Sequence, residues 1–272
     1  MIKESGLTSR KKVRLIHTSD IHLGDDWHHQ LSCDALRAIV AAVPRLRADM
    51  LIIVGDVFDH SRVPDTVLEF FVEQVQSLTV PAVILPGNHD IYDSNSVYLR
   101  APFRGKPDNL HIFTQMDGQI IRFPDLTLDL WGRTMRVHTP DFRPLAGMPA
   151  SDRGNWLVAL AHGHFHFDHD KERRSSPIFP WEVAQAPCDY LALGHWDRHV
   201  DVSQGRVKAV YSGAPLGPFH SDEAGCVTVV DLDPTLGVEA RQVNLAATSP
   251  HVGEDRGGGY FTTIPSAGSG QA

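Results

Sequence analysis

The sequence is poor in cysteine and has no long apolar run. Its three cysteines, Cys33, Cys188 and Cys226, lie far apart and form no CxxC pair, which argues against a disulfide framework and a cysteine metal site. No apolar run reaches the roughly 18 residues that suggest a membrane span. The polar stretch 1–12 lacks the apolar core of a secretion signal. These absences predict a cytoplasmic protein without a membrane segment.

Positive charge is also scarce. Lysine and arginine total 25 residues against 33 aspartates and glutamates, which gives a formal net charge of −8. This balance does not suit a protein built around a broad basic nucleic-acid surface. A metal site could still supply local positive charge, so nucleic acid stays open as a substrate. Histidine, the commonest transition-metal ligand, is by contrast abundant, with 16 residues.

Five short apolar runs end directly in polar residues that can carry chemistry. Runs this short and this apolar are typical of strands buried on both faces. Ligands bind beyond the carboxyl ends of strands in open α/β sheets, so we expect the five polar clusters to meet at one site. The runs are 13–16, 50–54, 82–85, 157–161 and 190–193.

Amphipathic patterns between the first three runs predict two helices. One apolar stripe spans 36–43 at helical spacing and stops at Pro44. The other spans 67–75 and follows a helix start at Pro64 and Asp65. The rest of the chain is richer in strand patterns, at 119–122, 126–131, 207–211, 226–232 and 238–243.

A β-α-β-α-β order followed by further strands predicts an α/β fold with a two-sheet β-sandwich core flanked by helices. We expect a flexible N-terminus over 1–12 and one folded domain over 13–245. The segment 246–272 is rich in Gly, Ser, Thr and Pro and has little to bury, so we expect a disordered tail there.

Polar side chains at the first three strand ends offer metal ligands. Asp20 and His22 stand two positions apart, so both can project to one side and grip one ion. Asp56 has two carboxylate oxygens that can bridge two cations. Asn88 offers a neutral amide oxygen, and His89 offers an acid–base group. Each cluster taken alone also fits an ordinary polar turn.

Two histidines complete the series: His162 in AHG and His195 in GHWD follow the last two apolar runs. The ordered set DxH, GDVFD, GNHD, AHG and GHxD resembles the calcineurin-like metallophosphoesterase superfamily, and within it the SbcD-type nucleases of double-strand-break repair. The resemblance covers about 13–232 and implies a four-layer αββα metallophosphoesterase fold. It is supported by GDVFDHSRVP (55–64), YLALGHWDRH (190–199) and YSGAPLGPFHSDEAG (211–225).

The resemblance implies a centre with two divalent cations that activate water for in-line attack on a phosphate ester. Oxygen ligands mixed with imidazole favour Mn, and they also suit Fe, Zn or Mg. His89 corresponds to the family's non-ligand catalytic histidine, and Asp59 to the acid that orients it by a hydrogen bond. One metal site corresponds to Asp20, His22, Asp56 and Asp197, and the other to Asp56, Asn88, His162 and His195.

Two departures from the family pattern bear on function. Asp197 stands where the family usually has histidine, which adds a negative charge beside the cations. After Ala214 too few residues remain for a DNA-capping domain or for a segment that binds a partner ATPase, so we expect neither segment. A partner ATPase stays open as a partner, although the short C-terminus does not support it. The predicted reaction is phosphodiester hydrolysis by an SbcD-like nuclease acting on DNA or nucleotides, single-stranded DNA included. A small-molecule phosphodiesterase or phosphomonoesterase and a non-catalytic scaffold are the alternatives.

Overall fold

The computed structural model describes residues 10–150, 154–167, 169–172, 174–217 and 225–245. Within these residues, the helices are α1 (His29–Arg45), α2 (Asp65–Gln76), α3 (Ala101–Arg104) and α4 (Pro180–Gln185), with 3-10 turns at Val97–Leu99 and Pro124–Leu126. The strands are β1 (Val13–Thr18), β2 (Met50–Val54), β3 (Ala82–Leu85), β4 (Leu110–Ile112), β5 (Gln119–Phe123), β6 (Leu128–Gly132), β7 (Trp156–His162), β8 (His164–Phe165), β9 (Pro177–Ile178), β10 (Tyr190–Gly194), β11 (His199–Asp201), β12 (Lys208–Ser212), β13 (Cys226–Asp233) and β14 (Gly237–Asn244).

Two six-stranded mixed sheets form the centre of the fold. The first sheet has the order β14-β13-β1-β2-β3-β4, and the second has the order β11-β12-β10-β7-β6-β5. Strands β1 to β4 run parallel to one another, as do β6, β7, β10 and β12. Antiparallel strands lie only at the margins of these parallel blocks. The carboxyl ends of the parallel strands therefore meet along one edge of each sheet.

Strand β2 shows why the apolar runs do not alternate with polar residues. Leu51 and Ile53 pack in the cluster formed with α1 and α2, whereas Ile52 and Val54 pack in the cluster between the two sheets. A third cluster covers the outer face of the second sheet and includes Val183 of α4. Because each central strand is buried on both faces, apolar side chains are needed at every position. The layers are thus helix, sheet, sheet and helix, which confirms the predicted fold class.

The predicted β-α-β-α-β order is confirmed for the first 85 residues. Helix α1 includes Pro44 and ends one residue later, at Arg45. The helix ends at this point with Leu46 donating to the carbonyl of Ala42 at 2.9 Å and Ala48 donating to the carbonyl of Val43 at 3.0 Å. Pro44 has no main-chain N–H to donate to the carbonyl four residues earlier, which agrees with the helix ending one residue later.

Other boundaries differ more from the sequence patterns. The apolar pattern starting at Leu126 begins with a 3-10 turn, and β6 starts at Leu128 because Thr127 takes a left-handed conformation with φ of 49°. The short elements β4, β8, β9, β11, α3 and α4 are not predicted by any pattern. No described helix is long and apolar enough to cross a membrane.

The described residues begin inside the predicted N-terminal segment. Arg10 donates to Asp189 at 2.9 Å and lies over the ring of Trp156, and the main-chain N–H of Lys11 donates to Thr127 at 2.7 Å. These contacts attach residues 10 and 11 to the second sheet. The predicted flexible residues 1–9 and the predicted disordered tail 246–272 lie outside the described residues.

Candidate metal centre

The predicted ligands follow the strands that end at one edge of the sandwich, and several take an unusual backbone conformation. Asp20, His22 and Asp56 have φ of 55°, 53° and 53°, and His195 has φ of 104°. Such values cost a non-glycine residue about 1–3 kcal/mol and persist only where the surroundings enforce them. Four of the seven described non-glycine residues with positive φ are thus predicted metal ligands.

Glycines in the motifs let the loops approach each other closely. A Cβ at Gly55 would overlap Nδ1 of His162, one at Gly87 would overlap the carboxylate of Asp56, and one at Gly194 would overlap the carbonyl oxygen of Val54. Gly194 belongs to β10 of the second sheet and Val54 to β2 of the first. The glycines therefore allow loops from both sheets to share one small volume.

One group of ligand atoms converges on Asp56, His162, Asn88 and His195. Nε2 of His162 lies 3.2 Å from a carboxylate oxygen of Asp56 and 3.0 Å from the amide oxygen of Asn88. Nδ1 of His195 also lies 3.0 Å from that amide oxygen. One carboxylate, one amide and two imidazoles thus face a common point between β2, β3, β7 and β10, and this donor set suits a divalent transition metal.

A second group consists of His22, Asp56 and His89, whose ligand atoms lie within 4.8 Å of one another. The rings of His22 and His89 are 4.7 Å apart in an edge-to-face arrangement. Asp56 therefore belongs to both groups, and its other oxygen accepts a hydrogen bond from the main-chain N–H of His89 at 2.9 Å. A carboxylate between two clusters of donors is the arrangement that a bridging ligand requires.

In two of the histidines, one ring nitrogen forms a hydrogen bond with an oxygen atom of the protein. Nδ1 of His162 lies 2.9 Å from the carbonyl oxygen of Val54, and Nδ1 of His22 lies 3.0 Å from the carboxylate of Asp59. Histidines that bind metals usually donate their other N–H to a carbonyl or carboxylate in this way, which fixes ring orientation and tautomer. Nε2 of His162 faces Asp56 and Asn88, and Nε2 of His22 is the ring nitrogen that does not bond to Asp59.

Asp59 contacts two histidines by different atoms. Its main-chain carbonyl oxygen accepts a hydrogen bond from Nδ1 of His89 at 2.7 Å, while its carboxylate lies 3.7 Å from the same nitrogen. The carboxylate is closer to His22. The structure therefore places the predicted orienting residue next to His89, but the nearest atom belongs to the backbone.

The charges of the centre reinforce each other around Asp56. Burial disfavours the charged form of His22, but the hydrogen bond to Asp59 and nearby carboxylates outweigh it and raise the pKa to about 9. Burial likewise opposes the charged form of His162, and Asp56 raises its pKa to about 9. Burial would raise the pKa of Asp56, but His162 and His22 hold it well below its usual range. The centre thus stabilises positive charge on both sides of one carboxylate.

The pKa of His195 shifts in the opposite direction to those of His22 and His162. Burial and the charge of His162 lower the pKa of His195 to about 3, so its imidazole is neutral at physiological pH. A neutral imidazole has a lone pair ready for a cation. This histidine therefore needs no proton to leave before it can bind a metal.

Asp20 and Asp197 lie outside both three-residue groups of candidate ligands among the described residues. Asp20 is buried, its carboxylate accepts a hydrogen bond from the main-chain N–H of His195 at 3.0 Å, and burial raises its pKa to about 6. It thereby ties the loop after β1 to the loop after β10. Asp197 is half-buried, and its carbonyl oxygen accepts from Ala214 at 2.9 Å. Their roles as ligands stay predictions.

Sequence reasoning gave no role to Asp90, the last residue of GNHD. Its carboxylate is buried and accepts hydrogen bonds from the main-chain N–H groups of Gly87 at 2.7 Å and Val57 at 2.8 Å, and from the hydroxyl of Tyr98 at 2.6 Å. Weaker bonds at 3.3 Å come from Asp56 and Phe58. Asp90 therefore fixes the loops after β2 and β3 relative to each other. Its place directly after a turn is a signal that could have suggested this.

Sequence reasoning also missed His138, in the loop between β6 and β7. Its ring centroid lies 5.7 Å from that of His195, and its Nδ1 lies 3.1 Å from the hydroxyl of Ser176. Burial, followed by the charge of His162, lowers the pKa of His138. No strand-end pattern precedes this histidine, so only the folded structure brings it to the centre.

Comparison with known proteins agrees with this geometry. Residues 13–199 match the family model described as calcineurin-like phosphoesterase. The SbcD component of the nuclease SbcCD from Bacillus subtilis (strain 168) is 26% identical over an alignment covering 88% of this chain and 71% of that protein. The protein of the same name from Escherichia coli (strain K12) is 34% identical over 88 residues, which cover 29% of this chain and 21% of that protein. One crystal structure superposes with a TM-score of 0.55 at 14% identity, over 86% of this chain and 100% of the other.

The two packed sheets and the polar cluster at their edge define a hydrolase of the metallophosphoesterase class. The chain belongs to the calcineurin-like phosphoesterase family, since the family model matches more than half of its length. Phosphoesterase activity follows from this membership together with the similarity to a nuclease subunit.

Proposed function

We propose that the protein hydrolyses phosphodiesters with two divalent cations, of which Mn is the first choice and Fe, Zn or Mg are the others. The observation that carries this proposal is the position of Asp56, whose carboxylate belongs to both groups of candidate ligands. Two cations bound there would polarise the phosphoryl oxygens and make water a competent nucleophile at neutral pH.

The donor set fits two such cations. We assign Asp20, His22 and Asp56 to one site, with Asp197 as its predicted further ligand. Asp56 also serves the other site. That site is completed by Asn88, His162 and His195, whose ring nitrogens already face the amide oxygen of Asn88 at 3.0 Å. Pre-oriented imidazoles lower the cost of ordering the site when a cation arrives.

His89 is the proposed acid of the reaction. Its side chain is 43% exposed, so a substrate can reach it, and Nδ1 is held by the carbonyl oxygen of Asp59. When the ring is protonated, Nε2 carries the second proton and can donate it to the leaving oxygen. The edge-to-face contact with His22 keeps the ring beside the proposed metal centre.

For the substrate class, we propose nucleic acid or nucleotides, on the strength of the similarity to a protein named as a nuclease subunit. The net charge of −8 leads us to expect few phosphate contacts, because tight duplex binding needs many cationic side chains. Short single strands and nucleotide-like diesters should be cleaved better than long duplex DNA, and rates should depend weakly on salt. A partner protein is a further hypothesis, since the Bacillus relative is named as one component of a complex.

The test combines metal removal with a substrate panel. Chelated protein should lose activity and regain it with Mn, and the panel should contain a short single strand, a long duplex, an aryl phosphodiester and an aryl phosphomonoester at two salt concentrations. Asp34→Asn, on the exposed face of α1, is a matched control that should behave as wild type. Full activity after metal stripping would refute the metal mechanism. Activity on the monoester alone would favour a phosphomonoesterase.

A further inference from the structure

His138, in the loop between β6 and β7, lies beside the candidate metal centre but outside both groups of candidate ligands. Its ring centroid is 5.7 Å from that of His195, with an interplanar angle of 47°. Burial is the main cause of its lowered pKa, and the charges of His162, Asp56 and His89 also act on it. Because these residues come from both ligand groups, His138 lies next to the space that a molecule bound to both cations would occupy.

A buried serine fixes the orientation of the His138 ring. Nδ1 of His138 lies 3.1 Å from the hydroxyl oxygen of Ser176, and the main-chain N–H of Ser176 donates to the carbonyl oxygen of Thr139 at 2.9 Å. Ser176 is fully buried and takes a left-handed conformation with φ of 49°. A non-glycine residue keeps this conformation only where its surroundings enforce it. The loop of His138 is thus attached to Ser176 at two adjacent residues.

Ser176 is in turn attached to the motif that contains His162. Its carbonyl oxygen accepts a hydrogen bond from the main-chain N–H of His164 at 3.1 Å. A Cβ at Gly163 would lie 2.2 Å from the same oxygen, so the backbones approach each other closely at this point. The position of His138 is therefore fixed relative to His162, a predicted ligand.

The hydroxyl of Ser176 also determines which ring nitrogen of His138 carries the proton. Its two acceptors among the described residues are Nδ1 of His138 at 3.1 Å and the thioether sulfur of Met135 at 4.0 Å. A thioether is a weak acceptor, whereas a neutral imidazole nitrogen is a good one. The hydroxyl therefore donates to Nδ1, and the neutral ring carries its proton on Nε2. Among the described residues, Nε2 of His138 has no hydrogen-bond partner.

His89 has the opposite arrangement of its ring nitrogens. Its Nδ1 bonds to the carbonyl oxygen of Asp59 at 2.7 Å, and because a carbonyl oxygen only accepts, the neutral ring carries its proton on Nδ1. His89 can therefore donate from Nε2 only when its ring is protonated, as the proposed acid requires. His138 offers an N–H from its neutral ring, which suits a hydrogen-bond donor that transfers no proton.

A bound phosphate needs donors of this second kind. Its non-bridging oxygens are negatively charged, and fixed donors aimed at such oxygens stabilise the transition state. Among the described residues, no lysine or arginine forms an ion pair with a predicted ligand. A neutral imidazole N–H beside the centre supplies a donor without placing a further positive charge next to the cations.

We propose that Nε2 of His138 donates a hydrogen bond to a non-bridging oxygen of the substrate phosphate at the candidate metal centre. The proposal rests on the proposed function, because the cations hold the phosphate there. It adds a substrate-binding residue from outside the five motifs. Every phosphate ester presents such an oxygen, and so does inorganic phosphate, which makes inorganic phosphate a suitable probe.

The test is calorimetric titration of the Mn-loaded protein with inorganic phosphate near neutral pH, after removal of unbound Mn. His138→Ala should weaken the affinity for phosphate about 10- to 100-fold, the range for one hydrogen bond to a charged group. His138→Gln should stay within a few-fold of wild type, because its amide N–H replaces the Nε2 donor. His111→Ala is the matched control: this half-buried histidine of β4 packs against Phe123 and should bind phosphate as wild type does. Metal analysis and melting curves should show that all variants are folded and carry equal amounts of Mn.

The proposal is overturned if wild type binds no phosphate, if His138→Ala keeps its affinity, or if His138→Gln loses as much as His138→Ala. Loss of Mn from His138→Ala would also overturn it, since His138 would then position the ligand His195. Failure of the proposed function looks different, because it is read from diester hydrolysis. If hydrolysis is absent while phosphate binding still depends on His138, the inference holds and the proposed reaction is wrong. Metal-dependent hydrolysis with phosphate binding independent of His138 rejects the inference alone.

Discussion

The two sheets hold their parts of the centre in different ways. In the first sheet, the loops after β1 and β2 bond directly through their main chains, as between Asp20 and the carbonyl of Gly55 and between His22 and the carbonyl of Asp56, both at 3.0 Å. In the second sheet, Gly163 donates to the carbonyl of Gly194 over a longer distance of 3.3 Å, and side chains add contacts such as that of His138 with Ser176 at 3.1 Å. Main-chain bonds do not depend on the identity of the side chain, whereas side-chain contacts do.

This difference suggests that the two sheets contribute in different ways to the candidate metal centre. The first sheet contributes the residues with left-handed backbone near 55°, together with Asp90, which joins the loops after β2 and β3. The second sheet contributes His162 and His195, and the loop after β6 brings His138 beside His195. We infer that the first sheet supplies the residue shared by both groups of candidate ligands, Asp56, while the second sheet supplies residues of one group only. Substitutions in each sheet can show whether the two parts are separable.

The largest effect should come from Asp56→Ala in the first sheet. Because Asp56 belongs to both groups of candidate ligands, the variant should lose both cations and fall to the rate of chelated wild type. His195→Ala, in the second sheet, should lose one cation and keep the other. Metal content by mass spectrometry and initial rates measure both effects. Equal losses of metal in the two variants would remove the distinction between the sheets.

His89→Ala should lower kcat by about 10²–10⁴-fold, the usual contribution of an acid–base group. The metal content should stay close to that of wild type, because the proposed role of His89 is proton donation. Steady-state kinetics beside metal analysis checks this prediction. Loss of a cation in this variant would instead make His89 a ligand, as its membership of the group with His22 and Asp56 allows.

Asp90→Ala should destabilise the fold by about 3 kcal/mol or more, because it leaves several buried N–H groups and the hydroxyl of Tyr98 without their acceptor. Ser176→Ala, in the second sheet, removes one side-chain hydrogen bond and should cost about 1 kcal/mol. Urea denaturation of the chelated proteins compares them. A cost for Ser176→Ala equal to that for Asp90→Ala would show that the loops of the two sheets are held equally firmly, against this expectation.

The sequence was sufficient for the fold class because the central strands are buried on both faces and end in polar residues. Strands such as β2 and β3 were bounded correctly, since Gly55 and Pro86 follow their apolar runs directly. Short elements such as β4 and β8 were missed, because two or three residues carry no measurable period. Their positions depend on contacts with neighbouring strands.

The sequence predicted the site less completely than it predicted the fold. Motif order correctly indicated that Asp56, Asn88, His162 and His195 would meet, and the structure brings them together. It gave no information about His138, whose approach to the centre depends on the path of a long loop. Which atom of Asp59 contacts His89 is likewise decided by local backbone geometry, about which the letters GDVFD say nothing.

Metal affinity should rise with pH between about 6.5 and 9. The pKa values of His22 and His162 in the metal-free protein are raised to about 9, so below that pH a cation must displace their protons. Calorimetric titration with Mn near pH 7, in buffers of different ionisation enthalpy, should reveal the release of about one proton per histidine. His22→Gln, in the loop after β1 of the first sheet, and His162→Gln, in β7 of the second sheet, should each remove part of this proton release. An enthalpy independent of buffer would contradict this.

The stability of the metal-free protein should change with pH in the opposite sense. A histidine whose folded pKa lies above its unfolded value of 6.5 stabilises the fold fully below that pH, and the contribution is lost as pH rises towards 9. The melting temperature of chelated protein should therefore fall across this interval. The double variant His22→Gln/His162→Gln should show a flatter curve, and an unchanged slope in that variant would assign the effect to other groups.

The smallest effect should come from Asp59→Asn. The main-chain carbonyl of Asp59 that holds Nδ1 of His89 at 2.7 Å is unaffected by the substitution, so the orientation of His89 should survive and kcat should fall only a few-fold. The side-chain amide can still accept a hydrogen bond from His22, but its lost charge lowers the pKa of that histidine, because the bond to Asp59 helps to raise it. Proton release on Mn binding near pH 7 should accordingly decrease while kcat hardly changes. A loss of kcat as large as that of His89→Ala would mean that the carboxylate, 3.7 Å from His89, closes on this ring during catalysis.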